Sequence, residues 1–82
     1  MNHTTYLGLD VHKDTIAVAI AEGQSSDVRF YGGINNTPIG VAGMLKKLGG
    51  RYGKLHVVYE AGPCGYGLYR QVNAAGHVCE VV

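Results

Sequence analysis

Thr5 to Val11 (TYLGLDV) is a short, nearly continuous apolar run, the pattern of a strand covered on both faces. His12, Lys13 and Asp14 supply a polar turn. From Thr15 to Ala21 the large residues Ile16, Val18 and Ile20 alternate with alanines. This period of two, with β-branched residues on one side, predicts a second strand. Its small side would let something bulky, such as a helix, approach closely. Glu22 to Ser26 reads as another turn, and Asp27 to Ile34 alternates again. Three strands joined by short turns predict an antiparallel meander.

The rhythm then changes. Thr37 is suited to cap a helix, and Pro38 fits its first turn, where a missing N–H costs nothing. Val41, Leu45 and Leu48 follow at helical spacing with Lys46 and Lys47 pointing elsewhere, and Gly49-Gly50 is the expected stop. Lys54 to Glu60 predicts a fourth strand. A second helix is expected from about Tyr66 to Ala75, with Leu68, Val72 and Ala75 inward and Gly76 as its end. His77 to Val82 reads as a fifth strand. The order β-β-β-α-β-α-β, with right-handed crossovers, makes the first, fourth and fifth strands parallel. The expected fold class is α/β, a ribonuclease-H-like mixed sheet with helices on its faces.

Composition narrows this little. The chain has 82 residues, 46% hydrophobic and 16% charged, which fits one globular domain and no more. A formal net charge of +1 announces no nucleic-acid or membrane partner by its field, so any DNA contact must be local. Cys64 and Cys79 form no CxxC pair and read as reduced thiols of a cytoplasmic protein. No apolar run approaches the ~20 residues of a membrane helix, and no signal peptide is expected.

The chemistry lies in two acids. Asp10 ends the first strand and Glu60 the fourth, and the expected topology sets those ends side by side. Ligands in open α/β sheets gather at such ends. Two carboxylates held close repel each other unless a cation sits between them or one takes up a proton. Oxygen-rich sites suit Mg²⁺ or Mn²⁺. Two such ions about 4 Å apart serve phosphodiester chemistry by activating a nucleophile and stabilising the leaving oxygen. Equally, an acid at a strand end solvates a turn. Topology and acids alone leave these two readings level.

Two motifs carry a family resemblance: Tyr6 to Thr15 (YLGLDVHKDT) and Val58 to Gly67 (VYEAGPCGYG). Together they resemble the amino-terminal half of DEDD transposases of insertion-sequence family one-ten, the group that includes the pilin-gene invertase. The resemblance spans nearly the whole chain, including Gly76 to Cys79. It implies a domain similar to the Holliday-junction resolvase, with four acids binding divalent metal. Asp10 matches the first of these acids and Glu60 the second. The other two aspartates, the rest of the nuclease domain and a carboxy-terminal domain with a serine proposed for strand transfer would lie beyond Val82. DNA is the implied substrate, and some members use an element-encoded guide RNA. The chain alone is expected to be inactive.

The remaining candidates have plainer readings. Asp14 serves the hairpin turn better than a metal. His12 and Lys13 are candidates for phosphate contact, against solvated turn positions. His3, His56 and His77 show no ligand spacing. Cys64 stands near a helix start but has no base beside it in sequence. Gly62 to Gly67 lacks the ending of a phosphate-binding loop and reads as a tight turn beside Glu60. Lys46, Lys47, Arg51 and Lys54 cluster around the first helix's end, where they complement its dipole or, with Lys13, form a salt-dependent phosphate surface. Two other functions compete. One is an ATP-binding domain of the sugar-kinase and actin type, although its phosphate turn usually contains a glycine that Val11 to Asp14 lacks. The other is a non-catalytic assembly remnant. The fifth strand, with Val78, Val81 and Val82 and only Glu80 charged, is expected at a sheet edge, which favours a homo-oligomer.

Overall fold

The computed structural model describes residues 4–23, 27–60 and 66–82. Its elements are β1 (Thr5–Val11), β2 (Thr15–Glu22), β3 (Val28–Asn35), α1 (Pro38–Tyr52), β4 (Leu55–Tyr59), α2 (Gly67–Ala74) and β5 (Val78–Val81). The five strands make one sheet in the order β3-β2-β1-β4-β5. β1 and β4 are parallel, as are β4 and β5, whereas β1, β2 and β3 pair antiparallel. Element order and strand directions are those the periodicity predicts.

The alternation in β2 sorts the sheet into two faces. Ile16, Val18 and Ile20 are buried with Leu7 and Leu9 of β1, Leu55, Val57 and Tyr59 of β4, and Cys79 of β5. Val41, Met44, Leu45 and Leu48 of α1 and Val72 of α2 complete the same core. Both helices therefore pack on one face, and among the described residues no helix covers the other. The second face carries Tyr6, Gly8, Asp10, the β2 alanines, Phe30, Val58 and Val78, with Phe30 72% exposed. β1 is thus covered on one side only. Its unbroken apolar run concealed that, because Tyr6 and Gly8 read as apolar. The uncovered side is the small side of the alanine alternation.

Local signals explain the helix ends. Thr37 is the N-cap of α1, its hydroxyl accepting from the Gly40 N–H at 3.0 Å, and Pro38 begins the helix. The stop at Gly49-Gly50 is not observed. α1 runs on to Tyr52 and ends at Gly53, whose φ of 79° suits glycine and whose N–H reaches the Gly49 carbonyl at 2.8 Å. Gly49 has a packing role instead, since a β-carbon there would meet the His77 ring at 3.1 Å. α2 ends before Gly76, as expected, with φ of 91°. Val72 is buried and Leu68 is half-buried, but Ala75 is exposed because the helix has closed by that point. In β3 the strict alternation fails. A register shift opposite Val18 and Ala19 leaves Tyr31 as an extra residue beside Gly32, a bulge of the kind that glycine permits.

His77 joins the two parts of the fold. Its Nδ1 accepts the N–H of buried Leu55 at 3.0 Å, at the start of β4. His77→Phe should leave that donor unsatisfied and destabilise the chain by about 1–3 kcal/mol. Urea denaturation checks this, and an unchanged midpoint would show that the bond contributes nothing.

Candidate functional site at the carboxyl end of the parallel strands

Asp10 and Glu60 meet at one end of the sheet. The parallel register pairs Thr5 with Leu55 and continues in step to Leu9 with Tyr59. Asp10 and Glu60 are the next residues beyond that last pair, at the same end of the sheet, where neighbouring strands run ~4.8 Å apart. Leu9 and Tyr59 are buried, so the next position on each strand turns to the opposite face, and both acids are exposed. The end is held together from both sides. The Val82 N–H bonds the Tyr59 carbonyl at 2.9 Å, and the Tyr59 hydroxyl accepts from the Tyr69 N–H at 3.2 Å. Glu60 therefore leaves a strand whose last residue is fixed by β5's exit and by α2.

An open cleft of about 1310 Å³ at this end is lined by Asp10, Lys13, Asn36, Glu60, Gly67 and Gln71, among others. Lys13 brings a cation to the same cleft as the two acids. His12 lies two residues beyond Asp10, hence on the same side of the chain, and its Nε2 is 3.1 Å from Asp10 Oδ2. Asn36, at the end of the meander, donates from Nδ2 to the carbonyls of His12 at 2.7 Å and Lys13 at 3.3 Å. Its own N–H bonds the Asp14 carbonyl at 2.9 Å.

The other basic candidates stand elsewhere. Lys54 precedes β4 and Arg51 closes α1, so both lie near the opposite end of the sheet from Glu60. Lys54 and Glu60 flank the five residues of β4, six residue steps and roughly 20 Å apart at the rise of a strand. Lys46 and Lys47 are exposed on α1, with Lys47 Nζ 5.8 Å from the centre of the Tyr31 ring. Arg51 stacks over Tyr52, its guanidinium carbon 5.4 Å from the ring centre. The structure joins Lys13 alone of these five to the acids.

The donor set at this end is hard and anionic, which suits Mg²⁺ or Mn²⁺. Among the described residues no group of three or more His, Cys, Asp and Glu side chains is arranged to hold a metal. Asp10 and Glu60 are two oxygen donors, fewer than such an ion takes. His56 binds Glu80 instead, Nε2 to Oε1 at 3.0 Å, and packs against Tyr6. Cys79 is a buried free thiol whose pKa is raised by loss of solvent. His3, Cys64 and the turn proposed at Gly62 to Gly67 fall wholly or largely outside the described residues. Sequence reasoning treated His12 as a phosphate contact or a solvated position and missed Asn36 altogether. The spacing of two between Asp10 and His12 was a usable signal. Nothing local linked Asn36 to a turn 24 residues earlier.

No family model matches the chain. The y4qE protein of Sinorhizobium fredii (strain NBRC 101917 / NGR234), named as a transposase, is 38% identical over 78 residues, 94% of this chain and 20% of that protein. The transposase for insertion sequence element IS1533 of Leptospira borgpetersenii is 34% identical over 79 residues, 96% of this chain and 23% of that protein. The chain thus spans about a fifth of the length of the curated relatives it matches. Among solved structures, the large terminase nuclease of thermophilic phage G20c superimposes with a TM-score of 0.66 at 17% identity, over 99% of this chain and 44% of that one. No helix of the described residues is long and apolar enough to cross a membrane. The chain has a ribonuclease-H-like fold and, over more than nine-tenths of its length, is homologous to proteins named as transposases.

Proposed function

We propose that the chain is the opening part of a DEDD-class nuclease domain in a longer DNA transposase, of insertion-sequence family one-ten, and that Asp10 and Glu60 are two of its metal ligands. The observation that carries this reading is their equivalent place at the carboxyl ends of two adjacent parallel strands, on one face. Similarity to transposases supports DNA as the substrate.

A divalent cation, when bound, would supply a Lewis acid and lower the pKa of a water attacking phosphodiester. The chain's own residues do the rest. Asp10 and Glu60 present their carboxylates from neighbouring backbone positions that the sheet holds, so part of the ordering precedes binding. Lys13 places a cation at the cleft mouth, where it would meet a DNA phosphate. Lys46, Lys47, Arg51 and Lys54 provide a separate, weaker phosphate surface away from the acids. The remaining two aspartates of the site and the carboxy-terminal domain belong to the part beyond Val82. A cytoplasmic setting, a homo-oligomeric assembly and, in some members, a guide RNA belong to the same reading.

The expected behaviour follows from an incomplete donor set. The 82-residue chain should bind Mg²⁺ or Mn²⁺ weakly and nick supercoiled DNA poorly or not at all, because a metal site needs its full ligand count to fix geometry. The complete protein should cleave in a metal-dependent way. Asp10-dependent nicking by the short chain at the rate of the complete protein would contradict the division of the site. Metal-independent cleavage by the complete protein would contradict the reading itself.

A further inference from the structure

We propose that Asn36 and His12 form a positioning relay for Asp10. In this relay Asn36 fixes the β1–β2 turn, and the fixed turn lets His12 hold one oxygen of the Asp10 carboxylate and leave the other for a cation shared with Glu60. The inference rests on the reading of Asp10 and Glu60 as metal ligands.

The contact between His12 and Asp10 has a defined direction. An ionised carboxylate only accepts, so His12 Nε2 carries the hydrogen across the 3.1 Å gap to Asp10 Oδ2. Both side chains are exposed, 59% for His12 and 75% for Asp10, so the pair adds little to stability. Its consequence is orientation. A solvent-exposed carboxylate turns freely between rotamers, and a donor on one oxygen restricts it only if the donor's backbone is itself held.

His12, Lys13 and Asp14 connect β1 to β2, and the His12 N–H reaches the Thr15 carbonyl at 2.8 Å. Asn36 adds three bonds to this turn from outside the hairpin. Its side chain donates to the carbonyls of His12 and Lys13, and its backbone N–H donates to the carbonyl of Asp14. Asn36 is half-buried and stands between the end of β3 and the N-cap of α1. A residue at the β3–α1 junction thus restrains the turn that carries His12, and His12 restrains Asp10.

The test uses the 82-residue chain, with Mn²⁺ affinity read from the EPR signal of the free ion. The Asp10 side-chain rotamer distribution is read by NMR couplings without metal. His12→Phe and Asn36→Ala should each weaken Mn²⁺ binding by about 10-fold, the lower end of what partners of metal ligands contribute. Each should also broaden the Asp10 rotamer distribution in the metal-free chain. His12→Gln keeps a donor and should bind within about 2-fold of the parent, and the double variant should be no weaker than either single one, as for members of one coupled unit. Three results overturn the relay. In the first, Asp10→Asn abolishes binding while the His12 and Asn36 variants bind like the parent, which leaves the metal-site reading standing. In the second, the two single losses add in full. In the third, Asp10→Asn leaves Mn²⁺ binding unchanged, which removes the metal-site reading as well. Should Asn36→Ala lose its fold by circular dichroism, the contrast between the exposed His12→Phe and His12→Gln variants decides alone.

Discussion

Asp10→Asn and Glu60→Gln, made singly in the complete transposase of our proposal, should each lower metal-dependent strand cleavage by about 100-fold or more. Outer partners of metal ligands already contribute 10–100-fold, and direct ligands contribute at least as much. Each substitution is nearly isosteric and falls on an exposed side chain at the sheet end, so the fold should be unaffected. The double variant should be little worse than either single one, because a cation that has lost one of its ligands has already lost its geometry. Gel assays of strand cleavage with Mg²⁺ and with Mn²⁺ measure this. Near-parental cleavage by either variant would show that its carboxylate serves the turn and not the chemistry.

The second large effect belongs to the residue before Glu60. Tyr59 is 2% exposed at the end of β4, packed in the core, and accepts the Tyr69 N–H through its hydroxyl. Tyr59→Ala should cost about 3–5 kcal/mol from lost burial and the cavity left behind. A domain of this size has a total stability of only about 5–15 kcal/mol, so the loss is a large fraction of it and the unfolding midpoint should fall steeply. Tyr59→Phe keeps the ring and removes the hydroxyl, and with it the acceptor of the Tyr69 N–H, at a cost of about 1–3 kcal/mol. Thermal or urea unfolding of the two variants separates packing from hydrogen bonding. Equal losses would mean that the hydroxyl, rather than the ring, connects β4 to α2.

Much of this architecture was legible because its signals are local. The alternation of Ile16, Val18 and Ile20 with alanines announced both the strand and its buried side. Thr37-Pro38 marked the helix start, and Gly76 marked a helix end. Asp10 and Glu60 were legible as a pair, since an apolar strand ending in an acid occurs twice and right-handed crossovers make those strands parallel. What was not legible depends on distant contacts. Gly49-Gly50 looked like a helix stop, but the choice between stop and close packing is made by His77, far along the chain. Apolar residues in β1 gave no sign that one side lacked a cover. The bulge at Tyr31 and the bonds from Asn36 to the first turn likewise arise from pairing geometry that no short window contains. The basic residues Lys46, Lys47, Arg51 and Lys54 are near in sequence, yet helix length and strand direction carry them away from the acids and leave Lys13 there.

We propose one divalent cation shared by Asp10 and Glu60 at the carboxyl end of β1 and β4. Paramagnetic broadening by Mn²⁺ in a ¹⁵N-labelled sample of the 82-residue chain tests it most directly, because broadening falls steeply with distance and needs no activity. The account predicts that the amides around Asp10 and Glu60 broaden together at the lowest Mn²⁺ concentrations, and that Asp10→Asn or Glu60→Gln alone removes both effects. Broadening that centres on Glu22 or Glu80, or that persists around Glu60 after Asp10→Asn, would contradict it.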